Sequence, residues 1–225
     1  MKLKKIASLA LAGVMAVSML AGCKDGGNSN SGSSSENTNT ATGYSAVLES
    51  YMSDDVKDMD YVTFQDNASD GTALQNAAAY VTQQGIETAL NGLTIKSIHD
   101  WNTDGHADMV TALEKAYDVK DDDLNPNISF DNWNDGADAN RNLSDAVVYA
   151  ANGSIGVNEA LKMIADELDG YIENMPEKSN VTVGTWNYNY VISVSVVNKP
   201  LTSYTTYNGS INYIAVTVTR TATQG

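Results

Sequence analysis

The sequence predicts an α+β fold, with about four to five helices first and a C-terminal antiparallel meander of about three strands after them. Two patterns along the chain predict it. Between residues 44 and 174, apolar residues recur at a spacing of three and four, as on helices with one buried face. After Pro176 the spacing becomes two, which is the period of a strand, and Asn208-Gly209 between two such stretches is typical of a hairpin.

Each predicted helix has one apolar face, which must pack on another element. In the second helix Thr72 is the predicted cap, and Gly85 on the apolar stripe is typical of a close crossing with a neighbour. Ser154 is the predicted cap of the last helix, and Pro176 follows its end. A short extended segment is predicted at residues 61–64. The helical stretches are residues 44–56, 74–93, 109–117, 143–151 and 157–172.

The strands are predicted from alternation. Residues 186–197 alternate so that Trp186, Tyr188 and Tyr190 lie on the buried face, and residues 198–200 end this strand. Gly184 just before it is predicted to be a bulge. Residues 204–207 and 210–221 form the two arms of the hairpin, with Tyr204 and Tyr207 exposed. Because three strands could hardly fold alone, we predict one domain over residues 44–225.

Composition and charge exclude several classes of protein. The chain has 225 residues, of which 42% are hydrophobic, and this is enough for one core. Its single cysteine excludes a disulfide framework and any cysteine-rich metal site. A formal net charge of −15 leaves no basic surface for phosphates, so we expect no nucleic acid partner.

The first 23 residues have the pattern of an export signal. Three lysines among the first five residues precede an apolar run, from residue 6 to 20, that is too short for a permanent membrane span. The run ends in Leu20-Ala21-Gly22-Cys23. This motif resembles the lipobox of bacterial lipoproteins. The resemblance implies that residues 1–22 are removed as a signal peptide and that Cys23 receives diacylglyceryl and acyl chains, palmitate among them.

Lipidation predicts that the chain is tethered to the outer face of the cell membrane. Two or three acyl chains give stable anchoring, and the only thiol is consumed by the lipid. The signal peptide carries three of the 13 basic residues and none of the 28 acidic ones, so the mature net charge is −18. An anionic membrane repels such a body, so only the anchor should touch the membrane. Residues 23–43 are the lipidated cysteine and a flexible Gly/Ser/Asn/Thr linker with a reach of roughly 25 Å.

The sharpest internal pattern is the turn from Asp100 to Asp108. Its positions 1, 3, 5 and 9 carry side-chain oxygens, its position 6 is Gly105, and a helix pattern follows. It resembles the calcium loops of EF-hands and dockerins. The resemblance implies Ca²⁺ as a cofactor, bound by the side chains of Asp100, Asn102, Asp104 and Asp108, the last directly or through water, and by the carbonyl of His106.

This turn also has an interpretation without metal. Position 12 is Thr111, where those families have a bidentate carboxylate, and its loss moves calcium affinity towards the millimolar range. The alternative is an acidic turn in which Thr103 or Asp104 caps the helix. His99 and His106 are spaced unlike the common zinc motifs, so both are predicted to be surface residues.

The sequence offers no catalytic residues. Nucleophile-elbow, Ser-x-x-Lys, phosphate-loop and dinucleotide-binding patterns are absent. We therefore expect a lipid-anchored extracytoplasmic protein that binds an extracellular ligand or an envelope protein without catalysis. A cell-envelope hydrolase and a calcium-stabilised structural module are the two alternatives.

Overall fold

The computed structural model describes residues 43–82, 85, 92–98, 105–119, 124, 138–179, 184–200 and 209–225. Five helices and five strands lie in these ranges. The helices are α1 Tyr44–Tyr51, α2 Asp54–Lys57, α3 Ala68–Ala78, α4 Ala107–Tyr117 and α5 Val157–Glu173. The strands are β1 Val62–Phe64, β2 Ile95–Ile98, β3 Leu143–Asn152, β4 Trp186–Pro200 and β5 Ser210–Gln224.

The strands form one mixed sheet in the order β1-β4-β5-β3-β2. Only β1 runs parallel to its neighbour, with Val62 opposite Tyr190, and the other pairs are antiparallel. The longest pairing joins β4 to β5, from Trp186 opposite Gln224 to Pro200 opposite Ser210. The predicted α+β class is therefore confirmed, whereas the prediction of a simple C-terminal meander is wrong.

Helices cover both faces of this sheet and make two cores. On one face α1, α2 and α5 pack against a cluster that includes Tyr149, Ile192 and Val216. On the other face α3 and α4 pack against a cluster that includes Val148 and Tyr213. The result is a three-layer arrangement, helix on sheet on helix.

The largest error of the sequence prediction is at residues 143–151, which are strand β3 and not a helix. Residues 145–151 are all buried, because β3 lies inside the sheet and is covered on both faces. A strand buried on both faces reads as a continuous apolar run, and such a run does not distinguish a strand from a helix by period. The adjacent β-branched residues Val147 and Val148 were the signal for a strand.

Several boundaries also differ from the prediction. The second helix begins earlier, where Asn67 and not Thr72 accepts a capping bond, and α3 ends at Ala78 instead of reaching residue 93. Gly156 and not Ser154 is the residue that precedes α5. Strand β4 continues through Pro200, and Gly184 lies before it rather than in a bulge. Residues 204–207 lie outside the described residues.

The close helix crossing predicted at Gly85 is instead a close contact with a turn, because its neighbour Gly105 lies ahead of α4 and not in a helix. A Cβ on Gly85 would lie 3.0 Å from the carbonyl oxygen of Gly105, and a Cβ on Gly105 would lie 2.8 Å from the Cα of Gly85. Gly105 also has a φ of +76°, which favours glycine. The two backbones therefore touch directly ahead of α4, and neither position has room for a side chain.

We predict that Gly105→Ala lowers the free energy of unfolding by about 3 kcal/mol or more, since left-handed strain and overpacking add together. Gly209→Ala is the matched control, because Gly209 has the same φ of +76° but a Cβ placed on it would have nothing within 4 Å. The control should lose only about 1–2 kcal/mol. Urea denaturation measures both variants, and equal losses would show that the contact with Gly85 contributes nothing.

Candidate functional site

An open groove of about 600 Å³ lies at the outer edge of β4, near the start of that strand. Two chain segments pair with this edge and leave the groove beside them. The amide of Tyr188 donates to the carbonyl of Glu177 at 2.9 Å, and the amide of Tyr190 donates to the carbonyl of Tyr61 at 2.7 Å. The groove is lined by Asp55, Asp58, Met59, Asp60, Tyr61, Glu177, Asn187, Tyr188 and Asn189.

One wall of the groove is α2 with the turn that follows it. Ser53 caps α2 by accepting a bond from the amide of Val56 at 3.3 Å. The amide of Ser53 in turn donates to the carboxylate of Asp169 on α5 at 2.8 Å. Val56 is buried in the core and holds α2 against it, whereas Asp55 and Asp58 remain exposed.

The strand beneath the groove is supported by a buried arginine. Arg220 on β5 is fully buried, and its guanidinium carbon lies 4.2 Å from the centre of the Tyr188 ring. Its Nη2 donates to the carbonyls of Asp138 at 2.5 Å and Arg141 at 2.8 Å. The hydroxyl of Tyr188 donates to the carbonyl of Ala139 at 2.9 Å. One arginine and one tyrosine thus hold the segment before β3 against the sheet.

Burial perturbs the titration of this cluster. Loss of solvent lowers the pKa of Arg220, and the neighbouring Tyr188, Tyr190 and Asp138 oppose that shift. Burial raises the pKa of Tyr188, and the arginine charge opposes it. At the groove itself, burial and the charge of Glu177 both raise the pKa of Tyr61. The raised pKa values keep Tyr61 and Tyr188 neutral at neutral pH, and a guanidinium stays charged in proteins.

The groove is strongly acidic. Four of its nine lining residues are carboxylates, and none is basic. Glu177 forms an ion pair with Lys178, whose Nζ lies 3.4 Å away, but this pair is exposed and contributes little. Among the residues that the structure describes, no three His, Cys, Asp or Glu side chains are placed to hold a metal ion.

The residues predicted to bind calcium are only partly described. Asp100, Asn102 and Asp104 lie outside the described residues. Asp108 is exposed on the first turn of α4, and the carbonyl of His106 accepts the amide of Val110 at 2.9 Å. Helix α4 thus begins within the turn, after its seventh position. Calcium binding at this turn stays a prediction.

The prediction that both histidines are surface residues is wrong for His106. Its side chain is fully buried, and its Nε2 lies 2.8 Å from the hydroxyl of Tyr213 on β5. The two rings also contact each other, with centres 5.7 Å apart. His106 therefore belongs to the core between α4 and the sheet and not to the groove. His99 lies outside the described residues.

The groove was not predicted from the sequence. Three of its four acids lie in the acidic stretch 54–60 and the fourth is Glu177, and such acidic stretches are usually solvated. Asn187 and Asn189 alternate with the buried residues of the predicted strand 186–197. The prediction that Tyr188 and Tyr190 are core residues is confirmed, since each is 1% exposed. Tyr204 and Tyr207 lie outside the described residues.

Comparison with protein-family models, with curated proteins and with solved structures found no match to this chain. No described helix is long and apolar enough to cross a membrane.

We predict that Arg220→Met lowers the free energy of unfolding by about 3 kcal/mol, because it leaves two backbone carbonyls without their charged donor. Tyr190→Phe is the comparison, since it removes a neutral hydroxyl, which donates to the carbonyl of Pro176 at 3.0 Å and also hydrogen-bonds with Arg220. It should cost only about 1 kcal/mol. Urea denaturation of both variants tests this, provided that the free energy of unfolding falls with urea at the same slope in each. An Arg220→Met protein that is at least as stable as the Tyr190→Phe protein would contradict the prediction.

Proposed function

We propose that this chain is a bacterial lipoprotein that is anchored through Cys23 on the outer face of the cell membrane and binds an envelope partner there without catalysis. The observation that carries the anchor is the sequence Leu20-Ala21-Gly22-Cys23 at the end of a charged and then apolar leader. The observation that supports binding is the acidic groove at the edge of β4.

Helix α1 follows the proposed linker and is fixed to the rest of the domain at its first residues. The carboxylate of Asp66 accepts the backbone amides of Gly43 and Ser45, so it caps α1 from the end of β1. The buried hydroxyl of Ser45 accepts the amide of Val194 in β4 at 2.9 Å. The start of α1, where the proposed linker ends, is therefore fixed by hydrogen bonds to Asp66 and to β4 of the central sheet.

We predict that the native protein, expressed in a bacterium fed an alkyne-labelled palmitate, carries the label and fractionates with membranes. Cys23→Ala should remove both the label and the membrane association, because the sequence holds no other cysteine. Ser45→Ala is the control, and it should leave both unchanged. A Cys23→Ala protein that stays in the membrane fraction would refute the anchor.

The groove supports the binding of a positively charged group. Asp58, Asp60 and Glu177 border one open concavity, and their charges add to the field of a chain with net charge −15. A shallow and acidic concavity does not suit a small apolar ligand, which needs an enclosed and mostly apolar pocket. An exposed amine on a larger envelope partner does suit it.

The hydrolase alternative gains no support. It needs a histidine in a cleft next to a carboxylate or a hydroxyl group. His106 is fully buried against Tyr213, and none of the residues that line the groove is a histidine. His99, the other histidine, lies outside the described residues, so the hydrolase stays an alternative. We propose binding because the acidic groove supports it.

We predict that a short oligolysine peptide binds the full chain and that Asp58→Asn, Asp60→Asn and Glu177→Gln together weaken its affinity about tenfold. The matched control neutralises Asp108 on α4 and Glu159 and Asp166 on α5, three exposed acids that do not line the groove. It changes the net charge equally. Calorimetric titration measures both, and equal weakening would show that the peptide follows net charge and not the groove.

A further inference from the structure

Among the residues that the structure describes, no helix lies over one part of the sheet. On the face packed by α3 and α4, the cover stops at the first turn of α3. There the amide of Asn67 donates to the hydroxyl of Ser193 at 3.1 Å, and the hydroxyl of Thr217 donates to Asp70 at 2.6 Å. Ser193 and Thr217 are buried, whereas Val191, the next residue on this face of β4, is 39% exposed.

We call the uncovered area the open face. The strand register arranges it in three rows. The first row crosses four strands, and the other two rows cross β4 and β5. The rows are Thr63, Val191, Thr219 and Ser144, then Asn189 and Thr221, then Asn187 and Thr223. Rows on one face of a sheet repeat at about 7 Å along the strands, and neighbours within a row stand about 5 Å apart.

The chemistry of the open face is unusual for this chain. Its side chains are hydroxyls, amides and one valine, and none carries a charge, although the chain has 28 acidic residues. Some of its hydroxyls bond within the face, as Ser144 and Thr219 do at 3.3 Å. Lys178, opposite Asn187, stands at its border. Asn187 and Asn189 also line the groove, so the two surfaces are continuous.

We propose that the open face binds an uncharged stretch of a polysaccharide. This inference rests on the proposed function, which places the domain in the cell envelope. It names a polysaccharide as the class of the envelope partner, with an amine of the partner in the groove and an uncharged stretch on the open face. A hydroxyl-rich polymer can exchange hydrogen bonds with rows of hydroxyls and amides without desolvating any carboxylate. Repeated rows also match a polymer, because weak contacts add along one chain.

Other macromolecules fit this face less well. A protein partner needs large apolar or aromatic anchors at the centre of its interface, and the open face offers only Val191. Nucleic acid is repelled by the net charge of the whole chain. A neutral polymer needs no large apolar anchor and is not repelled by the net charge of the chain. Like the open face, it carries no charge.

Sedimentation of the full-length lipidated protein, in detergent, with insoluble chitin tests the proposal. Chitin is a polymer of N-acetylglucosamine that carries hydroxyls and amides and almost no charge. The wild type should sediment with it equally at low and at high salt, because no ion pair is involved. The triple variant Thr219→Val, Thr221→Val and Thr223→Val keeps the shape and the strand propensity of each residue. It should lose binding about tenfold.

Two further variants make the result decisive. Thr111→Val, on the exposed side of α4, is the control and should bind like the wild type. Thr221→Glu places one carboxylate at the centre of the face and should also lose binding, with an unchanged unfolding midpoint. A wild type that does not sediment, or a triple variant that sediments like the wild type, would overturn the proposal. If oligolysine still distinguishes the groove variants then, the proposed function survives and only the polysaccharide is lost.

Discussion

The structure depends above all on the antiparallel pairing of β4 with β5. This pairing runs without a break from Trp186 opposite Gln224 to Pro200 opposite Ser210. One face of the pair supplies Ile192 to the core under α1 and α5, and the other supplies Tyr213 to the core under α3 and α4. A shift of this pairing by one residue would turn every side chain of the strand to the opposite face of the sheet. The burial of Arg220 and the exposure of the three rows of the open face therefore depend on the same register.

The two strands of this pair could be predicted from the sequence, but their direct pairing could not. Alternation over residues 186–197 predicted a strand, and Asn208-Gly209 predicted a hairpin whose arms were residues 204–207 and 210–221. In the structure β4 itself continues through Pro200 and pairs with β5. The period was informative there because hydroxyl and amide side chains alternate with apolar ones. In β3 both faces are covered, so residues 145–151 are all buried and no alternation exists to be read. Parallel pairing of β1 joins residues 128 positions apart, as Val62 and Tyr190 do, and no local signal specifies it.

The candidate site was harder to predict than the fold. Its groove joins the turn after α2, the segment after α5 and the edge of β4, which approach one another only in the folded chain. Acidic residues in a turn carry no mark that separates a binding wall from a solvated loop. The histidine gave the opposite error, since a polar residue in an acidic turn proved to be a core residue held by Tyr213. The groove therefore arises from tertiary placement, which no local pattern in the sequence indicates.

We propose that the domain contacts the cell envelope through one end of the β4–β5 pair, where the groove and the open face join. Hydrogen exchange of the full chain, followed by mass spectrometry with and without purified bacterial cell walls, measures this contact. We expect cell walls to slow exchange at residues 187–191 and 219–223 and to leave α5 unchanged. Slowed exchange confined to α5 or to α4, or no change in any described segment, would contradict it.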